Sequence, residues 1–192
     1  MINTFLISIV TVALAELGDK TQLLAFVLAA RFRKPLPIIG GIALATLLNH
    51  TIAGLVGSWL AMSLDENVLR WGVGLTFLAV AAWALIPDRF TEKERRSDRY
   101  GAFVTALVSF FLVEIGDKTQ IATAALAAHF GNVAAVVSGT TIGMLIADGP
   151  AVVLGNALAE KIPFRYVRYA AAVMFAMIGT LALLGIGIPT RG

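Results

Sequence analysis

A charged hexapeptide occurs twice in this chain, each time inside a long apolar segment. The first copy is Glu16-Leu17-Gly18-Asp19-Lys20-Thr21, followed by Gln22; the second is Glu114-Ile115-Gly116-Asp117-Lys118-Thr119, followed by Gln120. Ionisable side chains in a membrane helix are costly, face a polar interior and mark ion or proton paths. The same cluster in both halves predicts one site built twice by an internal repeat, the construction of many secondary transporters.

The surrounding sequence sets a membrane context. Of 192 residues, 58% are hydrophobic and 14% charged, against roughly a quarter charged in a soluble domain. Six apolar segments run about 3–30, 37–61, 67–86, 102–128, 132–159 and 166–188. Each is near or above the ~20 residues that cross ~30 Å of hydrocarbon. The expected fold class is an all-α integral membrane protein of six transmembrane helices. The first segment lacks a basic flank and a small-residue cleavage site, and it carries Glu16 and Asp19. It therefore reads as a retained helix rather than a signal peptide. The absence of cysteine excludes disulfides and thiolate metal sites. The net charge is only +3, and the basic residues sit in short connections, so the expected partner is the lipid bilayer and not a nucleic acid.

The halves align without a gap at an offset of 98 residues. Beyond the motif, Leu28-Ala29-Ala30 matches Leu126-Ala127-Ala128, Phe32 matches Phe130, Gly41 matches Gly139, Gly57 matches Gly155, Leu60-Ala61 matches Leu158-Ala159 and Arg70 matches Arg168. Apolar matches are cheap in such a composition; a charged hexapeptide at the same offset is not. The expected organisation is repeat one over 1–86, a charged linker over 87–101 and repeat two over 102–192. Three spans per half make the repeats inverted. Loops 1–2, 3–4 and 5–6 hold Arg31, Arg33 and Lys34; Arg89, Lys93, Arg95, Arg96 and Arg99; and Lys161, Arg165 and Arg168, eleven of the fifteen basic residues. That bias places these loops and the linker in the cytoplasm and both termini outside. Glu16 and Glu114 each lie fifteen residues from a basic flank, Arg31 or Arg99. At ~1.5 Å per residue this is roughly 22 Å, near mid-membrane.

In a continuous helix Glu16, Asp19 and Lys20 share a face, as do Glu114, Asp117 and Lys118. Each motif is thus expected to give one polar stripe, with Gly18 and Gly116 permitting a bend or a close helix contact. Thr21, Gln22, Thr119 and Gln120 add neutral oxygens. Four carboxylates and two ammonium groups sum to a formal charge of −2, which balances a divalent cation. Oxygen ligands suit hard ions, and a dedicated oxygen cage leans towards Ca²⁺ or Mn²⁺ over Mg²⁺. The candidate metal ligands are Glu16, Asp19, Glu114 and Asp117. Clustered carboxylates repel one another when all are ionised, so an empty site takes up protons that an incoming cation displaces. No further cofactor is expected; the cation and the proton are the substrates. The bland alternative is that Glu16–Lys20 and Glu114–Lys118 are internal ion pairs that hold helices together.

Asn49 and His50 in the second segment align with Ala147 and Asp148 in the fifth. Asn49 and Asp148 offer oxygens to the path and His50 a proton relay; the plain reading is a polar contact or a kink. Asp148-Gly149-Pro150 is expected to break its helix. His129 is expected in a solvated loop. Trp59, Trp71, Trp83 and Tyr100 read as interfacial anchors.

With Glu-x-Gly-Asp-Lys-Thr in the first and fourth spans of a two-by-three repeat, the chain closely resembles the Gdt/TMEM-type cation/proton exchangers, the uncharacterised protein family UPF-sixteen. That family includes Golgi and chloroplast calcium/manganese transporters and bacterial manganese exporters. The resemblance covers essentially the whole chain. It implies that Glu16, Asp19, Lys20, Thr21, Glu114, Asp117, Lys118 and Thr119 form the cation pathway. It also implies exchange of Mn²⁺ or Ca²⁺ against protons, with export of Mn²⁺ across a bacterial inner membrane the expected role. Both halves of the site lie on one chain, so a monomer or a homodimer is expected. The alternative is an exporter of a small organic solute such as an amino acid, anchored by Lys20 and Lys118. An intramembrane enzyme with paired carboxylates fits less well, because each motif carries a lysine.

Overall fold

The computed structural model describes residues 1–86, 101–154 and 164–186, and among these every regular element is an α-helix. The helices are α1 (Ile2–Glu16), α2 (Lys20–Phe32), α3 (Pro35–Ser63), α4 (Glu66–Ala84), α5 (Gly101–Glu114), α6 (Lys118–Phe130), α7 (Val133–Leu154) and α8 (Phe164–Leu183). Outside the described residues lie most of the expected linker with its five basic residues and Tyr100, the matches at Gly155 and Leu158-Ala159, Lys161, Arg191, and the ends of the fifth and sixth segments. The side chains of Arg165 and Arg168 lie outside them too.

The first and fourth apolar segments are not single helices. Each breaks inside its motif, and α1 meets α2 at a bend of 73°. Gly18 and Gly116 adopt φ of +83° and +76°, left-handed conformations that cost a residue with a Cβ roughly 1–2 kcal/mol. Asp19 and Asp117 follow in extended conformation as the N-caps of α2 and α6. This corrects the expectation of a continuous polar stripe. Glu16 ends one helix, Lys20 begins the next, and the i, i+3, i+4 relation among Glu16, Asp19 and Lys20 does not exist. The same holds for Glu114, Asp117 and Lys118.

Other boundaries follow local chemistry. Pro35 starts α3, where a missing N–H costs nothing. The Asn132 side chain accepts from the Ala135 N–H at 3.0 Å and caps α7. Two expectations fail here. Helix α7 runs unbroken through Pro150, since proline removes one donor and the remaining backbone bonds hold in apolar surroundings. His129 lies buried in the last turn of α6, edge-on to Phe130, and not in a solvated loop.

The packing is inverted relative to a water-soluble bundle. On α3 the buried face carries Ile38 and Ile42 near its start and then Ala45, Thr46, Asn49, His50, Ala53, Gly54 and Gly57, while Leu47, Leu48, Ile52, Leu55 and Trp59 point outward. Small and polar residues inside with large apolar ones outside is the arrangement of a bilayer-embedded protein. Trp71 is likewise exposed. Among the described residues α3, α4 and α7 are each long and apolar enough to span a membrane, and α1 with α2 makes a fourth if the bent pair is one span. Helix α5 and the apolar part of α8 are shorter.

The halves exchange partners. Helix α3 packs on α5 and α6, and α7 packs on α1 and α2, so the middle helix of each half embraces the broken helix of the other. The approach is close enough to need glycine. A Cβ on Gly41 would lie 2.6 Å from the Phe103 carbonyl oxygen, and one on Gly139 would lie 2.6 Å from that of Phe5. These four residues are two pairs at the same 98-residue offset. One apolar cluster joins α4, α6 and α8, with Phe77 stacked on Phe175. A second joins α2, α3, α5 and α7.

Candidate cation-binding site

The two helix breaks face each other inside the protein. Lys20 Nζ lies 2.9 Å from Asp117 Oδ1, and Lys118 Nζ lies 3.0 Å from Asp19 Oδ2. Each lysine therefore pairs with the aspartate of the other half. The break permits this, because it interrupts the helix that would stack each lysine on the glutamate four residues earlier.

Within each half the polar residues brace the break. The Thr21 hydroxyl donates to Glu16 Oε2, and the Thr119 hydroxyl donates to Glu114 Oε2 at 3.0 Å. Gln22 Oε1 accepts from the Gly18 N–H at 3.1 Å, and Gln120 Oε1 accepts from the Gly116 N–H at 2.7 Å. The glutamine oxygens thus satisfy backbone groups that the break releases instead of facing the centre. Gln22 also donates to the Ala147 carbonyl at 3.1 Å, which fixes α2 against α7 beside Asp148.

Glu16, Asp19, Glu114, Asp117, Thr21 and Thr119 are all buried. Glu16, Asp19 and Asp117 each present a carboxylate oxygen, and the three oxygens lie within 4.8 Å of one another. Oxygens bound to one hard ion at about 2.3–2.6 Å fall within such a span. Glu114 stands outside this triplet, but its Oε1, like Glu16 Oε1, is buried without a hydrogen-bond partner. Such atoms are costly unless a proton or cation meets them.

Of the second set, Asp148 stands beside the cluster. Asp148 is fully buried, its carboxylate oxygens make no hydrogen bond, and the charges of Glu16 and Asp19 act on it. Its counterpart His50 is equally buried, and neither ring nitrogen has a hydrogen-bond partner. Asn49 donates to the Phe111 carbonyl at 3.0 Å and keeps its buried Oδ1 without a partner.

Apolar spans around two facing helix breaks, with buried oxygen donors at their centre, define a membrane transporter of hard cations. Comparison with known proteins identifies the family. Residues 4–92 and 102–187 match the family described as divalent cation/proton antiporter GDT1, and the chain belongs to it. A Vibrio cholerae protein named "Putative manganese exporter" is 46% identical over 179 residues, covering 93% of this chain and 89% of its own. A Saccharomyces cerevisiae protein, "Divalent cation/proton antiporter GDT1", is 24% identical over 228 residues, covering 91% of this chain and 81% of its own. GDT1-like protein 3 of Oryza sativa is 28% identical over 194 residues, covering 88% of this chain and 69% of its own. No solved structure matches. The organic-solute alternative gains no support from these matches.

Proposed function

We propose that the protein exports Mn²⁺ across the bacterial inner membrane in exchange for protons, with Ca²⁺ as a second candidate cargo. The observation that carries this reading is the convergence of Glu16, Asp19 and Asp117, drawn from both halves, on a space the size of one hard cation. The name of the Vibrio cholerae relative supports manganese as cargo and export as direction. Proton coupling follows from electrostatics. Acids this close and this buried do not all remain charged without a cation, so cation entry and proton release are linked.

In this reading the chain crosses the membrane six times as two inverted repeats, 1–86 and 102–192, joined by a cytoplasmic linker over 87–101, with both termini outside. The exchanged packing of α3 on α5 and of α7 on α1, with glycine at equivalent places, supports the inversion. The metal ligands are Glu16, Asp19, Glu114 and Asp117. Asp148 and Asn49 extend the path, and Lys20, Lys118, Thr21, Thr119, Gln22 and Gln120 hold its shape. His50, at the place in α3 equivalent to Asp148, is assigned a proton-relay role. One chain supplies both halves of the site, so a monomer suffices for transport.

The test is Mn²⁺ and Ca²⁺ flux into proteoliposomes under an imposed pH gradient, comparing wild type with Asp19→Asn and Asp117→Asn. Gradient-driven flux that both substitutions abolish is expected. Flux that survives both would return the motifs to a structural role, and no flux of either ion in the wild type would sink the antiport reading.

A further inference from the structure

The two lysines stand in the way of the cargo. Asp19 and Asp117 are two of the three acids whose oxygens converge, and each already holds an ammonium group from the opposite half at 3.0 and 2.9 Å. A cation that enters meets carboxylates with cationic partners in place.

We propose that Lys20 and Lys118 are specificity-determining residues: tethered counter-cations that a divalent ion displaces from Asp117 and Asp19 and that Na⁺ or K⁺ does not. This rests on the reading that Asp19 and Asp117 bind the transported cation.

The charges decide the competition. Two ammonium groups carry the charge of one divalent ion, so a divalent ion between Asp19 and Asp117 restores their compensation in full. A monovalent ion restores half. At equal distance it is attracted no more strongly than the ammonium it must expel, whereas a divalent ion is attracted twice as strongly. The ammonium also has the advantage of its tether. It returns to its carboxylate intramolecularly, at an effective concentration set by a short side-chain stem, while a free ion must be dehydrated and collected from solution. Lysine suits the task because its ammonium is a compact point charge on a flexible stem, not a bidentate clamp. The two are unequal: the side chain of Lys20 is 20% exposed and that of Lys118 is 5% exposed. Lys20 is the less enclosed of the two. Lys118 acts in the drier setting, where a unit charge counts for more, and is the stronger guard.

The test uses full-length protein in proteoliposomes: wild type, Lys20→Gln, Lys118→Gln and the charge-preserving Lys118→Arg. Mn²⁺ uptake driven by a pH gradient is measured with and without a large excess of Na⁺ or K⁺, and tracer Na⁺ uptake is measured directly. Wild type and Lys118→Arg are expected to ignore the monovalent ions. In the glutamine variants Na⁺ or K⁺ is expected to raise the half-maximal Mn²⁺ concentration by roughly tenfold, about 1.4 kcal/mol of lost discrimination, and more in Lys118→Gln than in Lys20→Gln. If a variant binds but does not transport, equilibrium Mn²⁺ titration of the detergent-solubilised protein with and without Na⁺ makes the same comparison. If Lys118→Gln does not fold, the partly exposed Lys20→Gln carries the test. Glutamine variants as indifferent to Na⁺ and K⁺ as wild type would overturn the lysine role and leave the antiport reading standing. A wild type that moves no divalent ion would overturn both.

Discussion

Lys20 and Asp117 lie 97 residues apart in sequence, yet their ammonium and carboxylate groups are 2.9 Å apart at the centre of the protein. Lys118 and Asp19 repeat the relation in reverse at 3.0 Å. Each half therefore compensates the charge of the other, and neither half is electrostatically complete by itself.

Removing one partner from such a pair leaves a buried charge exposed to apolar surroundings, a loss of about 3–5 kcal/mol when burial is complete. Asp19→Asn removes the carboxylate paired with the more enclosed Lys118, whereas Asp117→Asn removes the one paired with the more exposed Lys20. Thermal unfolding in detergent is expected to show a clearly lower midpoint for Asp19→Asn than for Asp117→Asn. Equal midpoints would mean that the two pairs sit in equivalent surroundings.

The glycine contacts between halves predict matched sensitivity. A Cβ at Gly41 would lie 2.6 Å from the Phe103 carbonyl oxygen and one at Gly139 the same distance from that of Phe5, and both obstacles are backbone, which cannot swing aside. Gly41→Ala and Gly139→Ala should each destabilise by about 1–3 kcal/mol through overpacking. Gly72, with nothing within 4 Å of a built Cβ on α4, is the control, and Gly72→Ala should stabilise by about 0.5–1 kcal/mol. The order of the three melting temperatures checks the packing directly.

The break itself can be tested at Gly116. Its φ is +76° and no atom lies within 4 Å of a built Cβ, so Gly116→Ala adds backbone strain of roughly 1–2 kcal/mol without a clash. Because Asp117 follows immediately, the strain falls on the Lys20–Asp117 pair. Reduced Mn²⁺ affinity with a modest drop in melting temperature is expected. An unchanged affinity would show that the site does not depend on this turn.

Much of this fold is legible in the sequence, and the boundary of what is legible has a physical cause. The apolar segments place the described helices to within a few residues, because span length and hydropathy are local properties. The doubled motif singles out the acids for the same reason. The break at Gly18 and Gly116 was within reach: a glycine followed by aspartate is a helix stop followed by an N-cap, but 3.6-residue periodicity competes with it. The cross-pairing of Lys20 with Asp117 was not within reach. Glu16 and Glu114 sit four residues from the lysines in each motif and are the partners that an unbroken helix would stack on them. Pro150 misled because proline is a strong breaker in water and a tolerated residue in a packed apolar helix. Gln22 and Gln120 offer neutral oxygens in the sequence, and their hydrogen bonds to Gly18 and Gly116 exist only once the helix has broken.

Asp148 and His50 place different chemistry at equivalent sites of the two halves. Both are enclosed, and neither makes a hydrogen bond. Asp148 lies within the field of Glu16 and Asp19, which makes it a fifth carboxylate beside a site that the doubled motif supplies with four. Asp148→Asn keeps the shape and removes the charge. Since no hydrogen bond is lost, the melting temperature should hold, while the apparent affinity for Mn²⁺ should fall by roughly tenfold, the scale seen when groups around a metal are altered. His50→Gln, which removes a titratable ring and no carboxylate, should leave equilibrium Mn²⁺ affinity unchanged and slow proton-driven uptake. Kinetics of Mn²⁺ uptake for the two variants, beside their melting curves, decide the matter: if His50→Gln weakens affinity as much as Asp148→Asn does, the path runs through both halves symmetrically and Asp148 has no special place in it.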